Sequence, residues 1–212
     1  MRRLPIYLLL DTSGSMTGEP IEAVRNGVQI LLSALRQDPY ALETAYLSII
    51  TFDTTARQVV PLTELTAFQM PDIQATGVTA LGDALKLVAE RADMEVMKTT
   101  NDQKGDWKPV VFLMTDGTPT DDWKRGLAAF QKQKFGMVVA CGFGGNASLD
   151  VLKMITENVL HLENTDSATI RAFFKWVSSS ISTTSQKVDE MAKEVKGLDE
   201  LPPPPAEVKV VV

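Results

Sequence analysis

The chain has 212 residues, 44% hydrophobic and 23% charged, which is enough for one well-buried core and too little for two generous domains. Twenty-one Lys and Arg against 27 Asp and Glu give a formal charge of -6 and a pI near 4.9, an electrostatic bias against polyanions that argues against a nucleic-acid partner. The single cysteine, Cys141, excludes an internal disulfide, and its place in the apolar run 137–141 suits a small buried hydrophobe in a reducing setting.

Residues 6–10 form a continuous apolar run that stops at Asp11, after which Thr12, Ser13, Gly14 and Ser15 are small or hydroxylated. Such a run, bounded by turn residues, predicts a strand covered on both faces, as in a parallel sheet. Arg2 and Arg3 precede it, but no small-residue cleavage site follows, so it reads as strand rather than secretory leader. Pro20 can open a helix in which Ile21, Val24, Val28, Leu31, Leu32 and Leu35 recur at helical spacing. Residues 46–52 predict a second strand. Asp53, Thr54 and Thr55 turn it into residues 56–62, a hairpin that supplies one antiparallel edge.

Thr79 begins a helix with Leu81, Ala84, Leu85, Val88 and Ala92 on one side, and the polar stretch 98–106 reads as a mobile, dispensable loop. Residues 109–114 predict a buried strand ending at Thr115, Asp116 and Gly117. Thr120 then suits a helix cap, with Asp121 and Asp122 in the first turn. Further strands are expected at 135–142 and 159–162, with a short helix at 149–155 between them. A last apolar helix aligns Ile170, Phe173, Phe174, Val177 and Ile181. Strand alternates with helix throughout, which predicts an α/β fold: a doubly wound, mostly parallel sheet with one antiparallel edge strand and helices on both faces. The expected organisation is a domain over 1–181 and a polar, proline-containing tail over 182–212. That tail is expected to add little stability, although residues 208–212 are apolar enough to pair with an exposed sheet edge. No apolar run approaches the roughly 18 to 20 residues that a membrane-spanning helix needs, so a soluble protein is expected.

Parallel sheets carry their sites at the carboxyl ends of strands, where Asp11 and Asp116 both fall. Asp11, Ser13 and Ser15 place three hard oxygen donors at alternate positions, with Gly14 able to bend the loop so that they converge. By themselves these residues would suit an ordinary strand-to-helix turn. The ordered set Asp11-x-Ser13-x-Ser15, Thr79 and Thr115-Asp116-Gly117 resembles the von Willebrand factor A (vWA) domain and its metal-ion-dependent adhesion site, over roughly residues 4–180. With residues 10–15, 112–122 and Trp123 it is similar to the bacterial TerY type associated with tellurium resistance. One departure is Val78, where many relatives carry Gly or another small residue.

The resemblance implies a divalent-cation site made by Asp11, Ser13, Ser15, Thr79 and Asp116, the serines binding directly and the others directly or through water. The hard donor set makes Mg²⁺ the first expectation, with Mn²⁺ and Ca²⁺ as alternatives. It further implies a non-catalytic protein-interaction module whose ion accepts an Asp or Glu carboxylate from a partner. The implied setting is a cytoplasmic bacterial stress or tellurite-resistance system with kinase-like or phosphatase-like partners. Asp11 with the Asp116 stretch is also similar to phosphotransferases of the haloacid dehalogenase type, in which Asp11 would be the nucleophile. Ser13, however, stands where that chemistry needs a second acid.

Other residues read as structural. Asp53 is expected to form a turn, Asp83 to complement a helix dipole, and Trp176 to pack, while His161 has no neighbouring ligand in sequence. Trp123 reads equally as an interface anchor or as a residue packed under its helix.

Overall fold

A computed structural model describes residues 2–211. Seven strands form one sheet in the order β3-β2-β1-β4-β5-β6-β7. They are β1 (Leu4–Asp11), β2 (Ala45–Phe52), β3 (Ala56–Glu64), β4 (Val110–Thr115), β5 (Met137–Phe143), β6 (Val159–Leu162) and β7 (Val208–Val211). The five central strands are parallel. The expected antiparallel edge is β3 against β2, and β7 adds a second by pairing antiparallel with β6.

β1 explains the architecture. All eight of its residues are buried, because successive side chains point to opposite faces and both faces are covered. Leu4, Ile6, Leu8 and Leu10 enter one core with α1 (Glu19–Leu35) and α6 (Ser167–Glu190), while Tyr7 and Leu9 enter the other with α3 (Leu81–Glu95) and α4 (Trp123–Phe130). α2 (Pro39–Thr44), a six-residue helix, joins the first face through Ala41, and α5 (Leu149–Ile155) joins the second through Leu152. β4 alternates in the same way, with Phe112 and Met114 on one side and Val111 and Leu113 on the other.

On the second face α3 and α4 meet backbone to backbone. A Cβ at Gly126 would lie 2.1 Å from the carbonyl oxygen of Gly82, so only glycine lets the helices approach this closely. That contact presses the segment before α3, carrying Thr79, against the segment before α4, carrying Asp116.

Two expectations change. The 98–106 stretch is anchored, not dispensable: the Asp106 carboxylate, 2% exposed, pairs with Arg3 at 2.6 Å and accepts from the Met97 amide, and Arg2 donates to the Gly105 carbonyl. The domain boundary expected at residue 181 falls inside α6, which runs to Glu190. Val188, Val195, Leu201 and Val208 are all buried in the first core, and the Trp176 indole donates to the Pro202 carbonyl at 2.8 Å. The segment after α6 therefore covers apolar surface and closes the β6 edge.

Each of those four side chains contributes on the order of 1.5–3 kcal/mol when fully buried. Truncation after Ser185 is expected to lower the melting temperature by about 10 °C or more, at roughly 2–4 °C per kcal/mol for a chain of this size. Thermal denaturation followed by circular dichroism checks this, and an unchanged melting temperature contradicts it.

Candidate metal centre

β1 and β4 are adjacent and parallel, with Leu10 beside Met114, so Asp11 and Asp116 leave the sheet at the same end on neighbouring strands. The chain after β1 is fixed from two sides. The Thr12 amide donates to the Phe52 carbonyl at 2.8 Å, and the Gly14 amide donates to the Gly77 carbonyl at 3.1 Å. A short 3₁₀ turn, Gly14–Met16, buries Met16 and turns both serine hydroxyls towards the β4 end. Ser13 Oγ lies 3.0 Å from Ser15 Oγ, and Ser15 Oγ donates to Asp116 Oδ1 at 2.7 Å. Asp11 Oδ1 accepts from the Ser13 amide at 2.9 Å, and Asp11 Oδ2 accepts from the Thr115 hydroxyl.

Thr79 reaches the same place from a third direction. Its hydroxyl faces Gly117 so closely that a Cβ there would come within 3.1 Å of it. Its carbonyl accepts from the Thr120 amide at 2.9 Å, and its amide donates to the Thr120 hydroxyl at 3.2 Å. The next amide, that of Ala80, donates to the Asp53 carbonyl. All five sequence-predicted residues thus gather at one end of the sheet, four of them linked in a hydrogen-bonded row and Thr79 beside them. Val78, the departure from the family pattern, is 48% exposed and leaves Thr79 buried.

The electrostatics are unbalanced. Asp11 is 1% exposed and Asp116 9% exposed, and neither carboxylate meets a cationic side chain among the described residues. Burial pushes the Asp11 carboxyl up to about 6, against the opposing hydrogen bonds from Ser13 and Thr115 and with a smaller push from Asp116; burial also raises Asp116. Asp53, equally buried at the same end of the sheet, is paired with Arg57. Asp53 is therefore compensated as a structural residue, while the Asp11–Asp116 pair has no such partner among the described residues. No three His, Cys, Asp or Glu side chains converge on a metal position among the described residues. A cation here would rest on two carboxylates and three hydroxyls, a hard donor set that suits Mg²⁺-like ions.

Several supporting residues carry roles that sequence alone did not reveal. Thr120, expected to cap α4, instead fixes the Thr79 backbone. Asp121 accepts from the Gly82 and Asp83 amides and so caps α3, and Asp122 caps α4 by accepting from the Arg125 amide. Only the acid-rich run 120–122 hinted at this. Thr115, a member of the motif, is also the donor that orients Asp11. Trp123 is half-buried and packs against the second core, Trp176 is buried in the first, and the His161 ring lies 3.0 Å from the Gly144 carbonyl.

Residues 6–176 match the family model described as the von Willebrand factor type A domain. The chain belongs to that family. The vWA fold recurs in a von Willebrand factor type A protein from Catenulispora acidiphila, at 18% identity and TM-score 0.64 over 86% of this chain and 43% of that one. It recurs also in the mussel byssus proximal thread matrix protein 1, in a structure with a zinc-occupied MIDAS motif, at 19% identity and TM-score 0.62 over 84% of this chain and 48% of that one. Among curated proteins, the uncharacterized protein sll0103 of Synechocystis is 29% identical over 209 residues, covering 91% of this chain and 46% of that protein. The chain thus spans less than half the length of these relatives. vWA domains generally serve as interaction modules and not as enzymes. The haloacid dehalogenase alternative finds no support: Ser13 occupies the place of the second acid, and it donates its amide to Asp11.

The raised Asp11 pKa makes the cation-free protein pH-sensitive in a defined direction. A carboxyl protonated more readily in the folded than in the unfolded chain adds stability that is full below the ordinary 3.8 and is lost as pH rises through about 6. The swing is roughly 3 kcal/mol. In chelator, the stability of the wild-type protein relative to Asp11→Asn should therefore fall by up to that amount between pH 4 and pH 7. Denaturant titrations at several pH values measure it, and a difference that stays constant across the range contradicts the assignment.

Proposed function

We propose that the protein is a non-catalytic, divalent-cation-dependent interaction module whose ion is held by Asp11, Ser13, Ser15, Thr79 and Asp116 and completed by an Asp or Glu carboxylate of a protein partner. The observation that carries this reading is the uncompensated acid pair. Two carboxylates at neighbouring strand ends, buried and without a basic partner among the described residues, are costly unless a cation joins them. The bland reading, that these are loop and capping residues of a fold that has lost its site, leaves that cost unexplained. It also leaves unexplained why Ser13 Oγ, Ser15 Oγ and Asp116 Oδ1 stand in one chain of contacts at 2.7–3.0 Å.

Mg²⁺ suits the site because hydroxyls and few carboxylates leave room for retained waters, whereas Ca²⁺ favours more carboxylate oxygens; Mn²⁺ shares the preference for oxygen donors. When bound, the ion supplies positive charge and an exchangeable position that a partner carboxylate can fill. Thr115 and the Ser13 amide keep Asp11 oriented, and Ser15 keeps Asp116 oriented. The zinc-occupied MIDAS motif of the mussel protein supports a cation in this motif. The likeness of residues 10–15, 112–122 and Trp123 to the TerY type supports a cytoplasmic role in a bacterial stress or tellurite-resistance system, with kinase-like or phosphatase-like partners. No helix among the described residues is long and apolar enough to cross a membrane.

Isothermal calorimetry at pH 7.5 is expected to show Mg²⁺ binding to the wild-type protein and an affinity loss of about 100-fold or more in Asp11→Ala and Ser13→Ala. Because protons compete for the same carboxylates, affinity should also fall as pH drops through about 6. Equal affinity in wild type and both variants contradicts the ligand set. A partner complex that survives chelator and Ser13→Ala unchanged contradicts recognition through the ion.

A further inference from the structure

The opposite end of the sheet is also concave. Between the end of α3, the loop leading into β4 and the turn leading into β5 there is a cleft of about 660 Å³, within the size range of ligand-binding clefts. It is remote from Asp11. β1 enters the sheet beside this cleft, where the Trp107 amide donates to the Arg3 carbonyl, and reaches Asp11 eight residues later, roughly 25 Å away at strand rise.

The cleft is basic, although the chain carries a charge of -6. Lys98, Lys108, Lys132 and Lys134 line it, against Asp93 and Asp106. Asp106 is already committed to Arg3 and to the Met97 amide, and its side chain is 2% exposed, so it contributes little negative field. Lys98 pairs with Asp93, and Lys108 with Glu194, but Lys98, Asp93 and Lys108 are at least half exposed. Pairs of this kind are worth little and exchange readily for another carboxylate. The side chains of Lys132 and Lys134, both exposed, have no ion pair or hydrogen bond among the described residues. Between the lysines the cleft offers apolar surface: Met97 is 44% exposed and Val96 half-buried, with Ala92 and Pro109 buried behind them. The Trp107 ring is turned to the first core, with the Arg2 guanidinium 3.6 Å from its centre, and fixes the backbone at this end of the cleft.

We infer that this cleft binds a short acidic peptide segment, seating an apolar side chain against Val96 and Met97 while flanking carboxylates pair with Lys132, Lys134, Lys98 and Lys108. Charge complementarity selects the acid. The apolar surface selects a peptide over a nucleic acid, whose backbone has nothing to bury there and whose long-range approach the net charge opposes. The site shares no residue with the proposed metal centre, so occupancy is independent of divalent cations.

Fluorescence anisotropy with the full chain, at low salt and in EDTA, tests this with a labelled Glu-Glu-Leu-Glu-Glu peptide as the probe. Saturable binding is expected, unchanged when EDTA is replaced by Mg²⁺, and weakened roughly tenfold in the doubly substituted Lys132→Glu, Lys134→Glu protein. Both lysines are exposed, and an unaltered melting temperature verifies that this variant folds. A Glu-Glu-Ser-Glu-Glu probe should bind several-fold more weakly. Equal binding by the two probes reduces the site to unspecific charge and overturns the proposal, as does an unaffected double variant. Displacement of the probe by a short oligothymidylate at lower concentration than by unlabelled peptide assigns the cleft to nucleic acid and likewise overturns it. So does sedimentation showing wild-type self-association that the double variant abolishes, since the occupant is then a second copy.

Discussion

Two carboxylates brought to neighbouring strand ends, with no cationic side chain beside them among the described residues, are the constraint around which this molecule is arranged. Asp11 and Asp116 are placed by the pairing of β1 with β4, the two strands at the centre of the sheet, and burial on both faces of those strands makes their register hard to change. Each acid is then held by hydroxyl and amide donors, Thr115 and the Ser13 amide for one and Ser15 for the other. Such donors orient a carboxylate and lower its ordinary cost, but they carry no net positive charge. Burial outweighs these donors and keeps Asp11 raised to about 6, with a smaller push from Asp116.

The rest of the structure can be understood as support for that arrangement. Close contact of α3 with α4 through Gly82 and Gly126 brings the Thr79 segment against the Asp116 loop, and Thr120 and Asp121 lock the two together by bonding to Thr79, Gly82 and Asp83. Asp53 holds the Ala80 amide from the β2 end and is neutralised by Arg57. Precision at the site thus comes from three loops bonded to one another above a rigid sheet, an arrangement in which a fixed donor set is presented without motion of the core.

Strands β1 to β6 were legible in the sequence because their signals are local, and the five candidate ligands because their ordered set resembles the vWA motif. A run such as residues 6–10 records burial on two faces, and its abrupt stop at Asp11 marks the carboxyl end of a strand where sites form. What the sequence concealed depends on partners distant along the chain. Val188, Val195, Leu201 and Val208 are scattered through a polar stretch, and their burial requires the surface of the first core and the edge of β6. Asp106 looks like a loop residue until Arg3 is placed beside it, and Asp121 looks like the start of α4 until the amides of α3 turn towards it. α2, with six residues, is too short to leave a helical period.

The central claim is that a cation joins the two acids. Manganese supports direct observation, because it shares oxygen-donor preferences with magnesium and scatters anomalously. Crystals grown at pH 7.5 and soaked in Mn²⁺ should show one dominant anomalous peak bounded by the side-chain oxygens of Ser13, Ser15 and Asp116, with Asp11 and Thr79 within direct or water-bridged reach, and no such peak in Asp11→Asn. An anomalous map without a peak there, or with its strongest peak at another acidic cluster, would contradict the account.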